Sequence, residues 1–228
     1  MSIQDNIARV QERVAAACRR AGRGVEDVRL IAVSKTFPAE CIREAYAAGL
    51  REFGENRVQE AAAKVPVLAD LNITWHLIGR LQTNKARRAG ELFQWVHSID
   101  SEALAGRLNQ TRADDGGRFT VLLQVNLGDE ESKSGIDERE VLKTAEAVGQ
   151  FSQLDVRGLM AIPPFCKNPE DARPFFRRLR ELGGKIRAAR VPNVSMQHLS
   201  MGMSHDFEVA IEEGATMIRV GTAIFGVR

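Results

Sequence analysis

The sequence predicts an α/β protein: a single (β/α)8 TIM barrel over residues 1–228, preceded by an extra amino-terminal helix. Three observations predict it. Short apolar runs rich in β-branched residues alternate eight times with helical patterns. The 228 residues hold eight such units and little more. No linker, low-complexity stretch or shift in composition marks a second domain.

The elements follow in order. Ile3, Ile7, Val10, Val14 and Cys18 recur at steps of three and four, so residues 2–22 form an amphipathic helix with one buried stripe, closed by Gly22 and Gly24. Leu30 to Val33 is a continuous hydrophobic run, the mark of a buried parallel strand, and Ser34-Lys35 stand at its carboxyl end. Pro38 suits the first position of a helix reaching Ala48 and stopped by Gly49. A short strand, 51–54, and a helix from Asn56 toward Lys64 come next. Further strands are expected at 73–78, 95–99, 119–126, 156–161, 194–199 and 217–220. Helices at about 83–92, 101–112, 137–149, 169–190 and 204–213 separate them. Gly116-Gly117 and Gly183-Gly184 look like turn or helix-end punctuation.

A net charge of +2 gives no electrostatic case for nucleic acid or an anionic membrane. The basic clusters Arg19-Arg20, Lys85 to Arg88 and Arg177-Arg178 fall in helical patterns and read as solvated faces. Cys18, Cys41 and Cys166 are odd in number and scattered, which argues for reduced thiols and a cytoplasmic location. The first residues lack the apolar core of a signal peptide, and no run approaches the roughly 20 apolar residues that span a membrane.

Barrels of this kind place chemistry at the carboxyl ends of the strands and often hold phosphate after the last two. There the chain has Ser200-Met201-Gly202-Met203-Ser204, read as a hydroxyl and glycine loop opening a helix, and Arg219-Val220-Gly221-Thr222-Ala223. Barrel closure sets the last strand beside the first, within one cofactor length of Lys35. Two readings of Lys35 compete: a lysine snorkelling into solvent, or a partly desolvated amine that attacks aldehydes. A phosphate cradle, an arginine and an amine on neighbouring strand ends favour the second and describe a pyridoxal 5′-phosphate site, with Lys35 as Schiff-base lysine and Arg219 facing the pyridine nitrogen. The plainer reading makes Ser200 to Ser204 a helix cap and Arg219 an ion-pair partner.

Ile31 to Lys35, Phe53 to Glu60, Trp75 to Lys85, Ser200 to Ser204 and Arg219 to Gly226 together resemble the signature blocks of the pyridoxal phosphate homeostasis proteins. The resemblance runs from the first helix to the last residues. It implies a barrel like the amino-terminal domain of alanine racemases that carries and buffers the cofactor without an established turnover, with amino-acid and keto-acid pools following indirectly. It also implies that Lys35 holds the cofactor as an aldimine, Arg219 meets the ring nitrogen, Asn56 lies near the ring, and Ser200, Met201, Gly221 and Thr222 surround the phosphate. Other B6 vitamers and transient transfer to cofactor-requiring apoenzymes are the implied partners. The 128–135 loop also looks like the family's, and its Lys133 has no role that the sequence assigns.

The residues argue separately against racemase chemistry. A two-base route needs a proton donor on each face of the substrate, and Lys35 supplies one. Tyr46, the sole tyrosine, lies in a helix where packing is the expected role. An arginine at the pyridine nitrogen also makes the ring a weak electron sink. A slow racemase or decarboxylase is the alternative, with His76, His97, His198 or Cys166 as second base, and a cofactor-free phosphosugar aldolase using Lys35 is a third reading. The four histidines lack ligand spacing, so no metal is expected and they read as satisfied strand-end residues. No nucleotide-binding glycine motif occurs. Trp75 and Trp95 read as packing residues, and without a second domain the chain is expected to be a monomer or weak homodimer.

Overall fold

The structure is a computed structural model that describes residues 2–111, 117–128 and 134–226; Lys133 lies outside the described residues. Its strands are β1 (Arg29–Val33), β2 (Glu52–Glu55), β3 (Thr74–Leu77), β4 (Trp95–Ile99), β5 (Phe119–Asn126), β6 (Ile136–Asp137), β7 (Leu154–Met160), β8 (Val194–Met203) and β9 (Met217–Val220). All pair in parallel. Eight of them close on themselves in the order β1-β2-β3-β4-β5-β7-β8-β9, with β9 back beside β1 through Arg29↔Met217, Leu30↔Ile218, Ile31↔Arg219 and Ala32↔Val220. The two-residue β6 adds to β5 at Val125↔Ile136, outside the closed ring.

The helices are α1 (Ile3–Arg20), α2 (Ala39–Ala47), α3 (Val58–Lys64), α4 (Ala86–Leu92), α5 (Glu102–Thr111), α6 (Val141–Val148), α7 (Arg173–Ala189), α8 (Phe207–Glu212) and the single turn α9 (Thr222–Phe225). Their apolar faces meet outward strand residues such as Phe53, Leu77, Val96 and Leu159 in the main core. Each fully buried side chain of that size stabilises the fold by about 1.5–3 kcal/mol. The amino-terminal helix packs against α8 and α9 on their side of the barrel. It buries Ile7, Val10, Val14, Ala17 and Cys18, Asn6 Nδ2 donates to Ile224 O at 2.8 Å, and Arg13 pairs with Glu208 at 2.8 Å.

Several expectations need correction. The Ser200 to Met203 block is not a loop opening a helix, because β8 runs through it to Met203 and α8 starts only at Phe207. Gly202 permits this run: its φ is +90°, and a Cβ there would lie 2.6 Å from Ala210 Cβ. The expected helix at 137–149 opens instead with β6 and a turn. Gly183 and Gly184 do not end a helix; they sit inside α7, where Gly183 lets the helix approach Leu199 and Leu159. The basic clusters do lie on solvated faces, where Arg20, Arg88, Arg177 and Arg178, all exposed, form ion pairs with Glu212, Glu91, Glu213 and Glu138.

Candidate functional site

Lys35 stands two residues beyond the end of β1 and keeps the parity of Ile31, a barrel-interior residue. Strand pairing continues to Ser34, whose N–H donates to Gly54 O at 3.0 Å. The chain then turns at Thr36, whose φ of +64° is unusual for a β-branched residue. Polar groups hold that turn on both sides. Lys64 Nζ donates to Ser34 O at 2.9 Å and to Glu55 Oε1 at 2.7 Å, and Ser34 Oγ donates to the same carboxylate oxygen at 2.7 Å. Beyond Lys35, Glu60 accepts from Thr36 N at 2.8 Å. Lys35 itself is exposed at the barrel mouth.

Glu55 is fully buried, and its Oε2 has no hydrogen-bond partner among the described residues. Burial pushes its carboxyl above the ordinary range, against the opposing pull of Lys64 and Ser34. The clamp of Glu55, Lys64 and Glu60 was not singled out from sequence. Its one visible signal is a pair of charged residues in positions that face the core of the β2–α3 unit.

Arg219, buried in β9, donates through Nη1 to Ser200 Oγ at 2.7 Å and through Nη2 to Ala161 O at 2.9 Å. Burial lowers its guanidinium to about 10, so it stays charged at neutral pH. Ser200 is fully buried, and its hydroxyl also meets His97 Nδ1 at 2.9 Å, so this side chain faces the barrel interior rather than an anion at the mouth. Met201 is likewise buried, in the core between strands and helices.

Ser204, just past β8, takes the neighbouring N–H groups. The N–H groups of Gly221 and Ala223 converge on Ser204 Oγ at 3.2 and 3.3 Å. Gly221 packs closely on the first strand, since a Cβ there would lie 3.3 Å from both Val33 Cβ and Val33 O. Thr222 is exposed beside it. Asn56 follows β2, half-buried, and lines a groove of about 600 Å³ with Arg57, Gly79, Arg80, Gln82 and Lys85. It does not cap α3, whose flanking residue is Arg57. The structure thus brings Lys35, Arg219, Gly221 and Ser204 together on neighbouring strand ends and sets Asn56 one strand away.

His76, next to last in β3, and His97, at the centre of β4, are buried inside the barrel and satisfied there, with His76 Nδ1 and His97 Nε2 2.9 Å apart and His76 Nε2 2.5 Å from Glu52 Oε2. Burial holds both imidazoles below their ordinary range. Trp95 stacks on His76 as interior packing, Trp75 joins the outer core, and Tyr46 is held between the Arg51 guanidinium and Asn72 N. Among the described residues no cluster of His, Cys, Asp or Glu could hold a metal ion, and no helix is long and apolar enough to cross a membrane.

Residues 3–228 match the family described as alanine racemase, N-terminal domain. The chain is 47% identical over 228 residues to the pyridoxal phosphate homeostasis protein of Aquifex aeolicus, covering all of this chain and 99% of that protein. Among solved structures it resembles PipY of Synechococcus elongatus with PLP bound, with TM-score 0.84 and 44% identity over 95% of this chain and all of that one. Alanine racemase from Corynebacterium glutamicum shares the fold with TM-score 0.69 at 18% identity, this chain spanning 64% of its length. The chain therefore belongs to the pyridoxal phosphate homeostasis protein family, on the barrel fold of the alanine racemase amino-terminal domain.

Proposed function

We propose that this protein binds pyridoxal 5′-phosphate at the carboxyl end of its barrel and carries and buffers it, serving vitamin B6 and amino-acid homeostasis. The single observation that carries the reading is Arg219, charged, buried and doubly hydrogen-bonded on the strand that pairs with Lys35's own. Bound there, the cofactor supplies an aldehyde that an amine can capture and a pyridine ring able to accept electrons.

The residues fit that group. Ser204 Oγ sits where two backbone N–H groups converge, a position suited to a phosphate oxygen, and Gly221 lets that backbone lie close against Val33 at the end of the first strand. Lys35 is the covalent anchor, its backbone fixed by Lys64 and Glu60. Ser200 orients Arg219 from inside the barrel, and Met201, with its side chain in the core, can meet the phosphate through its backbone. Gly221 and Thr222 flank the phosphate, and Asn56 borders the entrance.

Holding rather than turnover follows from the same groups. Arg219 is a permanent cation where the ring nitrogen would lie, which disfavours its protonation and weakens the ring as an electron sink. Three of the groups that could oppose Lys35 as a base are otherwise engaged. Tyr46 is engaged on α2, and His76 and His97 spend both ring nitrogens on each other, Glu52 and Ser200. Transfer to apoenzymes, binding of other B6 vitamers, one domain and a monomeric or weakly dimeric state in the cytoplasm complete the proposal. The test is the absorption spectrum of protein and Lys35→Ala after incubation with the cofactor and removal of the excess. A visible band that borohydride abolishes and the variant lacks is expected. A colourless parent protein would sink the reading and favour an aldolase using Lys35 alone.

A further inference from the structure

TIM barrels ordinarily fill their interiors with bulky apolar side chains. Ile31, Trp95, Leu122, Met160 and Met217 do so here. Across the same interior runs an unbroken polar line, each link between 2.5 and 2.9 Å: Arg219 to Ser200, Ser200 to His97, His97 to His76, His76 to Glu52. Glu52 opens β2 and so lies toward the amino-terminal rim, opposite Lys35, with 26% of its side chain exposed. Well-packed apolar residues would be at least as stable as such a buried polar chain, so stability does not account for it.

The two ends dictate every proton between them. Arg219 has only donors, so Ser200 Oγ accepts from it. Ionised Glu52 has only acceptors, so His76 carries its proton on Nε2. Burial keeps both rings neutral, which leaves His76 Nδ1 bare to accept from His97 Nε2–H. His97 Nδ1 is then bare in turn, and the Ser200 hydroxyl must donate to it. All four bonds point from Arg219 toward Glu52, with a cation at one end, an anion at the other and no unsatisfied member.

We propose that Glu52, His76 and His97 form a tautomer-locked positioning relay that aims the Ser200 hydroxyl inward and so fixes the Arg219 guanidinium at the cofactor-binding mouth. Remove the Glu52 carboxylate and the opposite sense becomes available. His76 can hold its proton on Nδ1 and donate to His97, His97 then donates to Ser200, and the Ser200 hydrogen is released toward the mouth. A carboxylate on the far rim thereby decides what Ser200 and Arg219 present to a ligand. The effect on the ligand rests on the cofactor reading above; the tautomers do not.

The test separates the two. Nitrogen-15 histidine spectra of the cofactor-free protein at pH 7.5 should show His76 and His97 both neutral and both protonated on Nε2. Either ring charged, or protonated on Nδ1, overturns the relay whether or not the cofactor binds, and this measurement needs no variant to fold. In Glu52→Ala, His97 should lose its pure Nε2–H signature. The cofactor-loaded variant should show a displaced absorption maximum and about two- to tenfold faster release, the worth of one misaligned hydrogen bond. A folded Glu52→Ala with unchanged His97 tautomer, or with unchanged spectrum and release, also overturns the proposal.

Discussion

Replacing Lys64 by methionine keeps the apolar stem but removes the ammonium that Glu55 and Ser34 O share. Breaking a buried ion pair on one side costs about 3–5 kcal/mol if the survivor stays charged. Glu55 is fully buried, Lys64 is 12% exposed, and the remaining carboxylate would keep only Ser34 as donor. The protein can escape part of this cost by protonating Glu55. From an ordinary carboxyl value of 4.5, protonation at pH 7 costs about 3 kcal/mol, and at pH 5 under about 1 kcal/mol. The sign follows from the raised folded-state value: the neutral carboxyl stabilises the fold fully below about 4.5, and that contribution is lost as pH rises. Urea unfolding of parent and Lys64→Met should therefore show a penalty near 3 kcal/mol at pH 7 that shrinks to about 1 kcal/mol at pH 5. Adding Glu55→Gln to the variant should remove most of that pH dependence. A penalty equal at both pH values, or larger at pH 5, would refute the buried-pair account of the Lys35 clamp.

Two further outcomes follow from the same geometry. Gly202→Ala places a Cβ 2.6 Å from Ala210 at a φ of +90°, and should cost about 2–4 kcal/mol in thermal unfolding; a near-neutral result would mean that β8 bends easily there. Burial holds His76, His97 and His198 below 6.5, His198 at about 4, so the unfolded chain binds more protons than the fold between those values. Stability should be full above pH 6.5 and fall on acidification toward pH 4, and a urea midpoint that rises over that interval would contradict the neutral interior.

The barrel was legible because its strands are buried on both faces and read as continuous apolar runs, Leu30 to Val33 and Val121 to Leu123 among them. Lys35 and Arg219 stood out because a charge at the end of such a run is conspicuous. What failed was local: Ser200 to Met203 carries small and polar residues that match a loop pattern, yet tertiary pairing with Met217 and Arg219 makes it strand. The interior relay was hidden for a different reason. Glu52, His76, His97 and Ser200 are spread over 149 positions, and only barrel curvature and strand parity turn them toward one line. Spacing alone cannot tell that, of the two hydroxyls in this short block, Ser200 turns to Arg219 and Ser204 to the N–H groups of Gly221 and Ala223.

The most direct test of the central claim is to reduce the cofactor-loaded protein with borohydride and map the modified lysine by peptide mass spectrometry. The account predicts one pyridoxyl-phosphate adduct, on the peptide containing Lys35, and no comparable adduct in Lys35→Ala. A principal adduct on Lys64, Lys85 or another lysine, or none at all, would contradict it.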